Sequence, residues 1–355
     1  MLHGLLLSKK LINKFSKFIF FYPGNIKQKT GGYIYENNIY EYSKSRNIPI
    51  IFKELSSNYP FPNNKDLKNL NYIVNNLNKE KILIFDGLVL EGLSNASYIL
   101  ENFKIIALIH HPLFLEFRGN KSDYFFSAAQ KIYNKVDHFI VTSSETKKLL
   151  LKKFNINSNI ISVVEPGIEK FKKYKKNQSK LTKFLTCGSI IERKKYDYLI
   201  NEIDNIENVE LNIIGDTSRE TLYSKKIKKL INDKQLTKKV ILHGKVSQVK
   251  LEKLYSQCDF YISTSKYEGF GMSLANAAIS KLPIISFKTS TIQKTIGKFG
   301  VLYFDNFKKG TLQRLISNNC FNKIIYKNLQ KSIAKKKYLT NLQSARLFIK
   351  VINNA

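Results

Sequence analysis

The chain has 355 residues, 43% of them apolar, and carries 59 Lys+Arg against 27 Asp+Glu, a formal net charge of +32. That length holds two domains with separate cores, and the apolar share excludes a disordered chain. No apolar run approaches the roughly 18–20 residues of a membrane span, and the three scattered cysteines, Cys187, Cys258 and Cys320, exclude a disulfide framework or zinc cluster and suit a reducing cytosol.

The opening "MLHGLLLSKKLINKFSKFIFFYPG" puts Leu5 to Leu7 ahead of the lysines, the reverse of a secretory signal, so no export is expected. Short apolar runs then predict strands at 17–22, 48–55, 81–87, 104–111, 137–143 and 160–167. A second series follows at 183–189, 209–215, 239–244, 258–264, 283–287 and 300–304. Continuous Ile/Val/Leu/Phe runs alternating with helical-length segments imply parallel sheets covered on both faces. Each half therefore reads as a doubly wound α/β domain with ligands at the carboxyl ends of its strands. The boundary follows Pro166-Gly167, in the basic stretch 169–182, which divides the chain into 1–168 and 169–336. In the final segment, 337–355, Leu342, Ala345, Leu347, Phe348 and Val351 lie at helical spacing, the pattern of a helix that docks back on the N-terminal domain.

The excess positive charge attracts phosphates, anionic lipid or nucleic acid. Its lysine runs, such as 170–183 and 225–230, are dispersed, with no zinc-finger spacing, Arg-rich recognition helix or RNP-like aromatic cluster. Nucleic acid is thus not the expected partner. Peripheral contact with an anionic membrane, from the cytoplasmic side, is the better use of the charge.

The stretch "STSKYEGFGMSLANAAISKLPIISF", residues 263–287, leads Glu268 into Gly269-Phe270-Gly271 and then a small-residue helix beginning at Met272. Glycines permit a sharp turn and close approach of a ligand, and a helix start favours an anion such as phosphate. Leu274 stands where the dinucleotide fingerprint has its third glycine, so the turn by itself is a weak signal. Arg193 and Lys194 follow another strand of the same domain. A basic pair opposite a helix N-terminus can hold a diphosphate and neutralise the charge that develops as a nucleoside diphosphate leaves.

Across 184–287 the chain resembles the retaining glycosyltransferases of family 4, through "GSIIERKKYDYLI", "VELNIIGD", "VILHGKVSQVKLEKLYSQCDFYISTSKYEGFGMSLANAAISKLPIIS". In the first half "TGGYIYENNIYEYSKSRNIPI", "FDGLVL", "LIHHPLFLE", "VTSSETKKLL" and "VVEPGIE" are similar to it as well. The resemblance implies the GT-B fold, two Rossmann-like doubly wound parallel-sheet domains facing a cleft, with a nucleotide-sugar donor on the C-terminal domain and the acceptor on the N-terminal one. It implies that Glu268 contacts donor-sugar hydroxyls, that Gly269, Phe270, Gly271 and Met272 face sugar and diphosphate, and that Arg193 and Lys194 stabilise the leaving group. Gly31 and Gly32 would close on the reacting sugar or phosphates, His110 would face the reaction centre with His111 sharing or replacing it, and Lys245-Val246 would cradle the base. No cofactor or metal is implied, and the sequence has no Asp-x-Asp pair to clamp a divalent ion.

Three departures stand out. Asn276 occupies the position of the family's second motif glutamate, which holds the ribose; Gly188-Ser189 replaces Gly-Arg; Gln293-Lys294 replaces Pro-Glu. The expected function is metal-independent, retaining transfer of a sugar from a nucleotide sugar to a lipid-linked or polysaccharide acceptor. The alternatives are a catalytically weakened GT-B scaffold that binds a sugar nucleotide or partner without turnover and, third, a basic nucleic-acid-binding protein.

Overall fold

The computed structural model describes residues 16–333 and 335–355. The opening segment that bears on export therefore lies largely outside the described residues. One sheet contains β1 (Phe18–Pro23), β2 (Ile50–Leu55), β3 (Ile82–Asp86), β4 (Lys104–Ile109), β5 (His138–Val141) and β6 (Ile161–Val163), ordered β2-β1-β3-β4-β5-β6. The other contains β7 (Thr182–Cys187), β8 (Val209–Ile214), β9 (Val240–Gly244), β10 (Phe260–Ser263), β11 (Ile284–Phe287) and β12 (Val301–Phe304), ordered β12-β11-β10-β7-β8-β9. Every ladder is parallel, as in the pairing of Phe18 with Ile50 and Ile82, and of Phe260 with Phe184.

All these strands overlap the predicted runs; β1 and β7 reach one residue beyond them, at Pro23 and Thr182, and several are shorter. β4 stops at Ile109, so His110 and His111 belong to the loop beyond it. β5 stops at Val141 because Ser143 turns to cap the next helix, its hydroxyl accepting from Thr146 N at 3.1 Å. The last strand of the first sheet shrinks from 160–167 to three residues.

The chain separates into two compact units: one ends at Gly167 and takes back Leu339–Ala355, and the other is Ile168–Tyr338. The C-terminal helix Asn341–Asn354 starts with a capping box between Thr340 and Gln343. It buries Ala345, Phe348 and Ile352 against Phe20, Tyr35 and Ile39 of the first unit. Ser344 Oγ donates to Glu165 O at 2.6 Å.

Sheet order locates the ligand crevices. In each sheet the chain leaves neighbouring strands in opposite directions at one point, between β1 and β3 in the first and between β7 and β10 in the second. The loops beyond the carboxyl ends diverge there and open a crevice. Gly31, Gly32 and Asp86 follow the first pair; Arg193, Lys194 and Glu268 follow the second.

Candidate active site

In the C-terminal unit the loops after β7 and β10 are tied together. Thr264 Oγ1 donates to Lys194 O at 2.7 Å, Lys266 N donates to Arg193 O at 3.0 Å, and the Arg193 guanidinium donates to Tyr267 O. These bonds bring the basic pair against Glu268, which is only 7% exposed. Lys194 Nζ lies 2.5 Å from Glu268 Oε1, and Arg193 Nη1 lies 3.6 Å from Oε2. Burial pushes the Glu268 carboxyl up, but Lys194, then Arg193, and a hydrogen bond from Ser265 outweigh it and hold it at about 2. Glu268 is therefore charged at neutral pH.

The turn continues through Gly271, whose φ of +93° is left-handed and favours glycine. It starts the helix Met272–Ile279, which has no side-chain cap and no acid in its first turn. Its amide groups and dipole present a positive end beside the basic pair. Of the predicted residues, Phe270 packs its ring against Ile168 and Ala275, and Met272 borders the same cluster. Phe270 can thus meet a ligand only through its main chain, because the aromatic ring anchors the turn from below. Asn276 is half-buried at the fifth residue of the helix. Lys245 is paired with Asp216 at 2.9 Å, and Val246 packs on the cluster containing Leu185 and Ile214. The chain approaches closely beneath the basic pair: a Cβ on Gly215 would lie 1.9 Å from Gly188 O.

In the N-terminal unit the helix Gly31–Ser45 likewise starts without a side-chain cap or an acid in its first turn. Gly31 is exposed, whereas Gly32 lies under the His110 ring, where an added Cβ would meet Cδ2 at 3.1 Å and Nε2 at 3.2 Å. His110 Nε2 is 3.1 Å from Glu36 Oε1 and 3.6 Å from Asp86 Oδ2. Burial drives Glu36 up to about 7 and, together with the Glu36 charge, Asp86 well above the carboxyl range; burial also lowers His110. His111 joins a different pair, with Nε2 at 2.5 Å from Glu116 Oε2. It does not share the His110 cluster, because its ring turns to Glu116 in the loop beyond β4.

Glu36 and Asp86 were not among the residues singled out from the sequence. Their signals were present: Asp86 ends a strand before Gly87, and Glu36 follows Gly32 by four residues, on the same helix face. Among the described residues, Glu36, Asp86 and His110 are the one group compact enough to consider for a metal ion. Both carboxyl groups approach His110 Nε2, and Asp86 Oδ1 also accepts from Leu88 N at 2.8 Å. No helix among the described residues is long and apolar enough to cross a membrane.

Residues 167–335 match the family described as Glycosyl transferases group 1. The chain is 28% identical over 171 residues to the UDP-N-acetylglucosamine–peptide N-acetylglucosaminyltransferase GtfA subunit of Streptococcus agalactiae, covering 47% of this chain and 32% of that one. It is 27% identical over 275 residues to the poly(ribitol-phosphate) alpha-N-acetylglucosaminyltransferase of Staphylococcus aureus, covering 71% and 52%. The chain thus spans about half or less of the length of these curated relatives. Among solved structures it is similar to Anabaena HepE in complex with UDP and glucose, with a TM-score of 0.74 and 12% identity over 96% of this chain and 100% of that one. At that identity the likeness shows the fold, which is GT-B.

Proposed function

We propose, from the glycosyltransferase group 1 match of residues 167–335, that the protein is a retaining, metal-independent glycosyltransferase using a nucleotide sugar. The observation that carries this reading is the Glu268–Lys194–Arg193 cluster beside an uncapped helix start, at the crevice of the C-terminal sheet. A diphosphate would take Lys194, Arg193 and the helix amides, while Glu268 accepts from sugar hydroxyls. The bond from the sugar to the diphosphate breaks as the acceptor oxygen bonds to the sugar; negative charge grows on the leaving phosphate oxygen, which takes up the acceptor hydroxyl's proton. Fixed positive groups in a dry site stabilise that charge more than the ground state. In the free protein Glu268 neutralises the basic pair, so donor binding exchanges one set of charge-assisted bonds for another.

The acceptor is proposed to be a glycan or lipid-linked molecule, reached through peripheral contact of the basic surface with anionic membrane. The relatives' names make UDP-N-acetylglucosamine the first donor to test. The experiment is a thermal-shift panel of nucleotide sugars, followed by turnover in EDTA. A donor that raises the melting temperature and is consumed in EDTA supports the reading; strict dependence on added Mn²⁺ or Mg²⁺ refutes the metal-free mechanism. A second reading, a binding scaffold with weakened chemistry, is favoured by Asn276 in place of a charged ribose ligand. It predicts binding without hydrolysis or transfer.

A further inference from the structure

The role that the family resemblance implies for His110, facing the reaction centre, does not explain why two carboxyl groups are buried beside it. Glu36 is 1% exposed and Asp86 3%, and the ligand atoms of the three residues lie within 4.8 Å of one another. Two buried acids in contact do not both ionise; they titrate as a pair that holds one proton over a broad range. Leu88 N donates to Asp86 Oδ1 at 2.8 Å, which leaves Oδ2 for the proton. Both carboxyl groups approach the same ring nitrogen, Nε2, and Gly32 packs against that side of the ring. The ring is further held edge-on by Tyr35 at 5.5 Å, and its main-chain carbonyl accepts from Thr142 Oγ1 at 2.9 Å.

We propose that Glu36 and Asp86 are positioning residues which share one proton and lock His110 as the neutral tautomer protonated at Nε2, so that Nδ1 accepts a hydroxyl of an acceptor bound at the crevice of the N-terminal sheet. The proposal rests on the reading of His110 as a residue of the reaction centre. Asp86 holds the shared proton, Glu36 carries the charge, and Nε2–H donates to Glu36. No proton or electron is gained or lost by the cluster as it binds; it selects which ring nitrogen is the acceptor. The other titratable neighbours are Tyr22 and Tyr35, which face Glu36, and Glu91, which faces Asp86. Burial holds both phenols neutral and pushes Glu91 to about 8, where it accepts from Tyr133 Oη and Leu113 N. As the pH falls through about 7, Glu36 takes up a proton and the lock loosens.

The test uses the full chain labelled with [¹⁵N]histidine and long-range ¹H–¹⁵N correlation, with His110 assigned by His110→Asn. At pH 8 the wild type should show neutral His110 protonated at Nε2. Asp86→Asn, whose amide donates to Glu36 as the protonated acid does, should keep that tautomer. Glu36→Leu should shift it towards Nδ1–H and lower kcat about tenfold with a smaller change in KM, the low end for partners that orient a histidine. Glu36→Gln, which keeps an acceptor without a charge, should retain Nε2–H and lose the change between pH 8 and 6. An Nδ1–H tautomer in the wild type, or the same shift in Asp86→Asn as in Glu36→Leu, overturns the proposal. So does selective broadening of His110 by micromolar Mn²⁺, which would make the cluster a metal site. If the tautomers behave as stated but His110→Asn turns over normally, the lock stands and the catalytic reading of His110 falls.

Discussion

Lys194→Met removes the charge facing Glu268 while keeping most of the apolar stem. The size of the effect follows from the carboxyl group it leaves behind. Glu268 is held at about 2 against an ordinary 4.5, and at about 1.4 kcal/mol per pH unit the difference corresponds to about 3 kcal/mol of folding stability. Breaking one side of a buried ion pair costs about 3–5 kcal/mol in general, and Arg193 at 3.6 Å remains as a partial partner, so the low end applies. The sign is set by a carboxyl whose folded value is depressed. Its contribution is fully present above about 4.5 and is lost as pH falls towards about 2. Urea denaturation at pH 7 should therefore show a loss of about 3 kcal/mol in Lys194→Met. Between pH 5 and pH 2 the wild type should lose stability more steeply than the variant. Once folded, the variant should also turn over at least ~10²-fold more slowly, with kcat falling more than KM rises. A variant as stable as the wild type at pH 7, with the same acid profile, would refute the buried pair; an unchanged kcat would return Lys194 to a structural role.

Substitutions at three further positions probe separate parts of the molecule. If Asn276 faces the ribose, Asn276→Glu should tighten donor binding by ~1 kcal/mol and Asn276→Leu should weaken it, by calorimetric titration; two variants that match a well-binding wild type would detach Asn276 from the ribose. Gly32→Ala places a methyl 3.1 Å from the His110 ring, so kcat should fall, while stability is expected to stay within about 1 kcal/mol because alanine favours the helix; an unchanged kcat would mean that the ring moves freely. Phe348→Ala should cost about 3–5 kcal/mol in the N-terminal unit, read by denaturant unfolding, and leave donor affinity unchanged; a loss below 1 kcal/mol would show that the C-terminal helix is not part of that core.

The alternation of apolar runs and helical segments was enough to read both sheets, because strands buried on two faces write their burial directly into consecutive residues such as Phe18 to Phe21. Glu268, Gly271 and the basic pair were legible for a similar reason: a strand, a glycine turn and a helix start are local features. Tertiary structure alone decided which side chains meet. Glu36, Asp86 and His110 are up to 74 residues apart, on a helix, a strand end and a loop, and converge because β1, β3 and β4 lie side by side in the sheet. That Phe270 turns its ring into a cluster with Ile168 and Ala275, which Met272 borders, was hidden too, since it depends on what packs beneath the turn. The pairing of Lys194 with Glu268 across 74 residues was equally hidden, since the sequence names charges without their distances. A charge's chemistry depends on those distances and on the water excluded around it, and both are properties of the folded chain.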